Sequence, residues 1–299
     1  MYNIVHALLW LVSLLPLRLL YIVSDLAYPI LHYVVKYRLK VVRRNLAEAF
    51  PEKSEKERRT IENRFYHYLC DLFVEFVKQT SWSKKKAMKH MTFSGLDYVR
   101  SQYDDGRQFL ILYLAHFGCW EWIASIKYWI EEAHITQVYH RLANPVADRL
   151  FLEWRQSYGG ESIKMKNTLR RMVSMRREFG KVIIGLLSDQ QPKWNAIHHY
   201  TQFLNHESAV FIGAEQMAKK FNAFAAYGRM TRVKRGYYHC EIIPLANNPR
   251  DYTDYELTDL YFRTLEADIQ ANPHLWLWSH KRWSRTKEEW LRRQGLSEQ

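Results

Sequence analysis

The sequence is poor in cysteine, glycine and acidic residues, and each shortage excludes a class of protein. Its three cysteines, Cys70, Cys119 and Cys240, stand far apart in 299 residues. An odd, scattered set gives neither a disulfide framework nor a C-x-x-C or zinc spacing, so the thiols read as reduced. Only 11 residues are glycine, and none form a dinucleotide fingerprint or a phosphate-binding loop. His198, His199 and His206 are close together but match no zinc-ligand spacing, so neither a metal nor a bound cofactor is expected. There is no internal repeat and no low-complexity linker. Long hydrophobic runs are missing too. Residues 1–17 carry no Asp, Glu, Lys or Arg, but Arg18 and then Asp25 interrupt, and the first run falls just short of a membrane-spanning length.

What is present is basic and aromatic. Lys plus Arg total 44 against 31 Asp plus Glu, a formal charge of +13, and 47% of residues are hydrophobic. The chain can bury a core, and its charge favours anionic partners. Aromatics make up 15%, including 11 Trp, which suits a membrane interface but equally single-stranded nucleic acid. The apolar N-terminal stretch carries Pro16 and Pro29, each expected to break or kink a helix, and is followed by Lys36, Arg38, Lys40, Arg43 and Arg44. It reads as a spanning or in-plane membrane anchor, with the positive residues keeping the rest of the chain on the cytoplasmic side. The alternative is an apolar hairpin packed on the domain.

Beyond the anchor, strands and helices alternate. Ser54 and Glu57 form a candidate capping box, and Ile61, Phe65, Leu69, Leu72 and Phe76 line one helix face. Strands are expected at 89–93, 109–114, 135–139, 181–187, 223–229 and 237–244. Helices are expected from Asn144-Pro145, from Asn167 to Gly180, and from Ser208 to about Lys220. This predicts an α/β fold with a mixed central sheet flanked by helices. The layout is a membrane anchor at 1–35, a helical lead-in at 36–88 and a catalytic domain at 89–299.

The most informative stretch is His116-Phe117-Gly118-Cys119-Trp120-Glu121, which directly follows the buried-strand candidate Phe109–Leu114. Gly118 allows a tight turn, and the His sits at a strand's carboxyl end, where open α/β sheets place their ligands. A His with a carboxylate partner can take a proton from a hydroxyl. A capping His beside a solvated Glu is the plainer reading of the same spacing.

The His-four-Glu motif resembles the active site of the lysophospholipid-type acyltransferase superfamily. Its terminal Glu is similar to the late acyltransferases of lipid A biosynthesis, the lauroyl/myristoyl transferase family of Gram-negative bacteria. Other stretches fit in order: Tyr37 to Leu46, Ala49-Phe50-Pro51-Glu52, Tyr139 to Pro145 with Asp148-Arg149, Gly185 to Gln190, and Pro273 to Trp283. The resemblance implies a membrane-associated enzyme that moves an acyl chain from an acyl carrier protein thioester to a hydroxyl of a lipid A precursor. That would place it at the bacterial inner membrane and exclude nucleic acid as a partner. It implies His116 as general base and Glu121 as the group orienting it. Arg141 and Arg149 become candidate oxyanion or substrate-binding donors, and Asp189 with Gln190 a site-shaping pair. It also implies direct transfer, without Cys119 as a nucleophile. The block Arg170, Arg171, Arg176, Arg177 and Lys181 reads as a docking or lipid-phosphate surface, or a solvated face. Lys281, Arg282 and Arg285, near Trp276, Trp278 and Trp283, read as an interfacial patch, or as core tryptophans beside a basic tail. Many relatives carry a glycine-rich stretch after Asp-Gln, followed by Phe-Phe-Gly. This chain has Gln191-Pro192-Lys193-Trp194-Asn195 and, later, Phe203-Leu204-Asn205. The acceptor therefore stays open: another glycolipid, aminolipid or phospholipid, or no chemistry at all in a membrane-binding protein. A metal-dependent hydrolase is the third alternative.

Overall fold

The computed structural model describes residues 2–295. Helices α1 (Tyr2–Leu14) and α2 (Leu17–Pro29) meet at Pro16 and are bent by 115°. Proline supplies no N–H and clashes with the preceding turn, so one straight helix cannot form there. Pro29 does not stop its helix. The chain continues through a π-helical turn, Ile30–Val34, which accommodates the missing donor. No single helix among the described residues is long and apolar enough to cross a membrane. Then follow α3 (Leu39–Ala49) and α4 (Glu55–Lys78), the latter opened by the Ser54–Glu57 capping box.

The remaining elements are α5 (Lys84–His90), β1 (Met91–Ser94), α6 (Leu96–Asp104), β2 (Phe109–Leu114), β3 (His134–Tyr139), α7 (Pro145–Gln156), β4 (Glu161–Lys164), α8 (Thr168–Glu178), β5 (Val182–Leu187), β6 (Tyr200–Phe203), β7 (His206–Ala209), α9 (Gly213–Phe221), β8 (Phe224–Lys234), β9 (Tyr237–Ala246), α10 (Glu256–Ala271) and α11 (Lys287–Arg293). Seven strands form one mixed sheet in the order β1-β9-β8-β2-β5-β3-β4, and β6 and β7 pair in a separate hairpin. Only β8 and β9 pair antiparallel within the large sheet, so the carboxyl ends of β2, β5 and β3 share one edge.

Alternation sorts the side chains between two faces. Leu112 and Leu114 of β2 lie beside Gly185 and Leu187 of β5. A 3₁₀ helix, Trp120–Tyr128, covers this face and packs on α4, which accepts a hydrogen bond from the Trp122 indole through the Glu75 carbonyl. α7 joins the layer through Phe151, edge-on to Phe76 of α4. The other face carries Tyr113, tilted against Tyr261 of α10, with α9 packed on β2. β2 and β5 are sandwiched between the layers, which explains their unbroken apolar runs.

Three expectations need correction. The helix expected from Ser208 starts at Gly213, because residues 206–209 pair with 200–203 as a hairpin. β4, at the sheet edge, has a single apolar residue, Ile163, among Glu161, Ser162 and Lys164, and lies outside the expected strands. Trp276, Trp278 and Trp283 form no interfacial patch, and neither does Arg282. All four are buried. The Arg282 guanidinium lies over the Phe203 and Phe262 rings, at 5.6 and 5.5 Å, and donates to the Ala209 carbonyl. Burial brings its pKa down to about 10.

Of the N-terminal helices, α2 is fastened by an ionic cluster. Arg235, at the β8–β9 turn, bonds both Asp25 of α2 and Asp71 of α4, and Arg232 reaches Asp71 at 2.6 Å. Beside them the Tyr21 and Tyr238 hydroxyls each donate to the buried Glu75 carboxylate at 2.8 Å. Away from this contact, Ile4, Leu8, Leu11, Ile22, Val23 and Leu26 stand exposed.

Candidate active site

The chain turns sharply after β2. Gly118 adopts a left-handed φ of +58°, and a Cβ there would run into the Met230 side chain. The turn is held from both sides. The Tyr68 hydroxyl of α4 donates to the Gly118 carbonyl, while the Gly118 amide donates to Leu275 and the Leu277 amide to His116. The stretch 273–283 is thus a backbone brace for the motif, anchored in turn by Asn45, whose side-chain amide donates to the Trp278 and His280 carbonyls.

His116 Nδ1 lies 2.7 Å from Asp189 Oδ1. The other carboxylate oxygen of Asp189 accepts from the His116 amide at 3.1 Å and the Trp276 indole at 2.9 Å. Asp189 is fully buried, at the end of β5. Burial alone pushes its pKa up, but the His116 imidazole and the Trp276 and backbone donors outweigh that and hold it below the usual carboxylate range. An ionised Asp189 fixes the Nδ1–H tautomer and leaves Nε2 unprotonated, as an acceptor. Nε2 faces the Gln190 amide nitrogen at 3.3 Å. This assignment follows from the hydrogen-bond network.

Glu121 makes no hydrogen bond to His116. Its carboxylate receives both prongs of Arg155 of α7, Nε at 2.7 Å and Nη2 at 2.6 Å, and also the Trp120 indole. The Trp120 ring in turn stands edge-on to His116, with centroids 5.1 Å apart. The expected pairing of His116 with Glu121 is therefore replaced in geometry by Asp189, and Glu121 reaches His116 only through Trp120. Burial disfavours the charge on Arg155, but the Glu121 carboxylate prevails and raises its pKa.

A cavity of about 650 Å³ opens at His116 and runs beneath the 3₁₀ helix. Leu112, Leu114, Ile123, Ile135, Ile183 and Leu187 make its depth apolar, and Gly185 leaves its floor open. Arg155, Arg285, Lys193 and His280 are polar groups on its walls. Burial lowers the His280 pKa to about 4, so it is neutral near pH 7. Neither Arg141 nor Arg149 lines the cavity. Arg141 is 68% exposed and 3.7 Å from Asp148. Arg149 is 62% exposed, bonded to Glu153 and placed over the Tyr2 ring of α1. Cys119 is fully buried and burial pushes its thiol pKa well up, which removes it as a nucleophile. His199 is tied to Asp259, and His206 stacks on Trp283.

The sequence profile of the bacterial lipid A biosynthesis acyltransferases matches residues 1–285. The chain belongs to this family. It is 23% identical over 303 residues to the lipid A biosynthesis lauroyltransferase of Escherichia coli (strain K12), covering 95% of each chain. A lipid A biosynthesis acyltransferase of Haemophilus influenzae (strain ATCC 51907 / DSM 11121 / KW20 / Rd) is 25% identical over 209 residues, 68% of this chain and 63% of the relative. The protein is accordingly an acyltransferase of lipid A biosynthesis. Sequence reasoning missed one cavity group in this family member, Arg155. A signal existed: in the helix capped by Asn144, position 155 shares a face with the buried Asp148, two turns earlier.

Proposed function

We propose that the enzyme transfers a fatty acyl chain from an acyl carrier protein thioester to a hydroxyl of a lipid A precursor, with His116 as general base. The observation that carries this reading is a His whose Nδ1 is bound to a buried carboxylate and whose Nε2, met by the Gln190 amide, lies at the mouth of an apolar cavity. Nε2 takes the hydroxyl proton as the acceptor oxygen attacks the thioester carbonyl. The tetrahedral intermediate then expels the thiolate, which regains the proton from His116. Asp189 holds the ring and stabilises the imidazolium. Glu121 is a positioning residue: it fixes Arg155 on the cavity wall and the Trp120 ring against His116. The acyl chain lies in the apolar depth, where burial of each methylene contributes about 0.8 kcal/mol.

The exposed apolar side chains of α1 and α2 lie in the bilayer interface, with the 115° bend keeping the pair in its plane. Lys36, Arg38 and Lys40 then face anionic headgroups on the cytoplasmic side of the inner membrane. The test uses the full-length protein in detergent with an acyl carrier protein donor and a lipid A precursor, read by mass spectrometry. One added acyl chain is expected, lost in His116→Ala. Persistence of transfer in that variant overturns the mechanism.

A further inference from the structure

A second cavity, of about 740 Å³, lies on the opposite face of the sheet, between α8 and α9. Val138, Met165, Leu187 and Phe211 belong to both cavities, so the second meets the His116 cavity over the carboxyl edge of β3 and β5. Its α8 side carries Met165, Leu169 and Val173 at four-residue intervals, 46, 48 and 57% exposed. Beside that stripe stands Arg170, and on the α9 side Lys220 and Arg250, all three exposed. Their neighbours are neutralised: Arg171 by Glu161 and Glu178, Lys219 by Glu215 and Asp254. Arg170, Lys220 and Arg250 have no carboxylate partner among the described residues.

An apolar stripe bordered by unpaired cations is complementary to an amphipathic helix with acidic margins. An anionic bilayer offers similar chemistry, but the fold separates the two. The apolar side chains suited to a bilayer are on α1 and α2, which pack on α4 and contact α7 on the first face of the sheet. The groove is on the other face, directed away from them. A soluble acidic partner therefore fits here. We propose that the α8–α9 groove docks an acidic helix of the acyl carrier protein, whose prosthetic arm crosses the sheet edge at Val138 and Leu187 to present its thioester to His116. This rests on the thioester donor proposed above.

The test compares the full-length protein with Arg170→Glu/Lys220→Glu, and with Lys56→Glu as a charge-reversal control on α4. Binding of holo-acyl carrier protein is measured directly, and transfer is followed with an acyl carrier protein donor and with a small acyl-pantetheine donor. Reversal is expected to weaken carrier binding and raise its KM at least tenfold, with the small-donor rate and the Lys56→Glu control unchanged. Carrier binding equal in wild type and double variant overturns the proposal. So does a double variant that loses affinity for phosphatidylglycerol vesicles while keeping carrier affinity, which would assign the groove to the membrane. A wild type that transfers from neither donor refutes the reaction, while the binding comparison still decides the groove.

Discussion

Replacing Asp189 by Asn removes one charge and leaves the shape nearly unchanged, yet the geometry leaves the amide one favourable orientation. Two donors, the His116 amide and the Trp276 indole, converge on Oδ2, while Oδ1 faces only His116 Nδ1. The Asn oxygen satisfies the two donors and its NH₂ faces Nδ1. That ring nitrogen must then accept, which moves the ring proton to Nε2 and occupies the lone pair the mechanism needs. The variant loses the general base without losing the imidazole. General-base catalysis contributes about 10²- to 10⁴-fold, so kcat is expected to fall by that factor with KM for the acceptor little changed. The weakened hydrogen bonds cost about 1–3 kcal/mol, which a thermal melt detects as a modest downward shift in Tm of a folded protein. Single-turnover transfer at saturating acceptor reads the chemical step. A kcat within threefold of wild type, on folded protein, would refute Asp189 as the group that sets the tautomer.

Gly185→Val is expected to shorten the preferred acyl chain. Its first added carbon sits 3.3 Å from Leu114 Cδ1, on the cavity floor; displacing about three methylenes at about 0.8 kcal/mol each shifts chain-length preference roughly 50-fold in competition assays with mixed donors. Arg155→Leu leaves the buried Glu121 carboxylate unpaired and should cost about 3–5 kcal/mol. Glu121→Leu/Arg155→Leu should recover most of that Tm while transfer stays low; a double variant no more stable than Arg155→Leu would argue against the pair as a unit. Burial, opposed mainly by Arg232, raises Glu75 to about pKa 7. Its unfolded-state pKa is lower, so its stabilisation is full below about pH 4 and is lost as pH rises through about 7. Glu75→Gln should flatten the fall in Tm across that window, and an unchanged slope would exclude Glu75 as its source.

Much of this protein was legible in the sequence because the information is local. The apolar runs of β2 and β5, buried on both faces, could only be inner strands, and both were placed to within a residue. Ser54 and Asn144 marked helix starts through side-chain caps that need no tertiary partner. The motif put His116 at a strand end, with a glycine in the one turn conformation that favours it. The family resemblance came from the same ordered motifs. Ser208 misled because a helix cap and a hairpin strand present the same residue, and pairing with 200–203 decided between them.

The partner of His116 was decided by tertiary structure alone. Spacing brings Glu121 close along the chain, but a hydrogen bond depends on where the carboxylate lies in space. Arg155 draws Glu121 to the cavity wall, while the parallel pairing of β2 and β5 puts Asp189 beside the imidazole from 73 residues away. The tryptophans of 276–283 followed the same rule. Composition suited them to an interface, but their backbone hydrogen bonds to the His116 turn carry them into the core, and only the folded register of β2, β5 and that brace could show it.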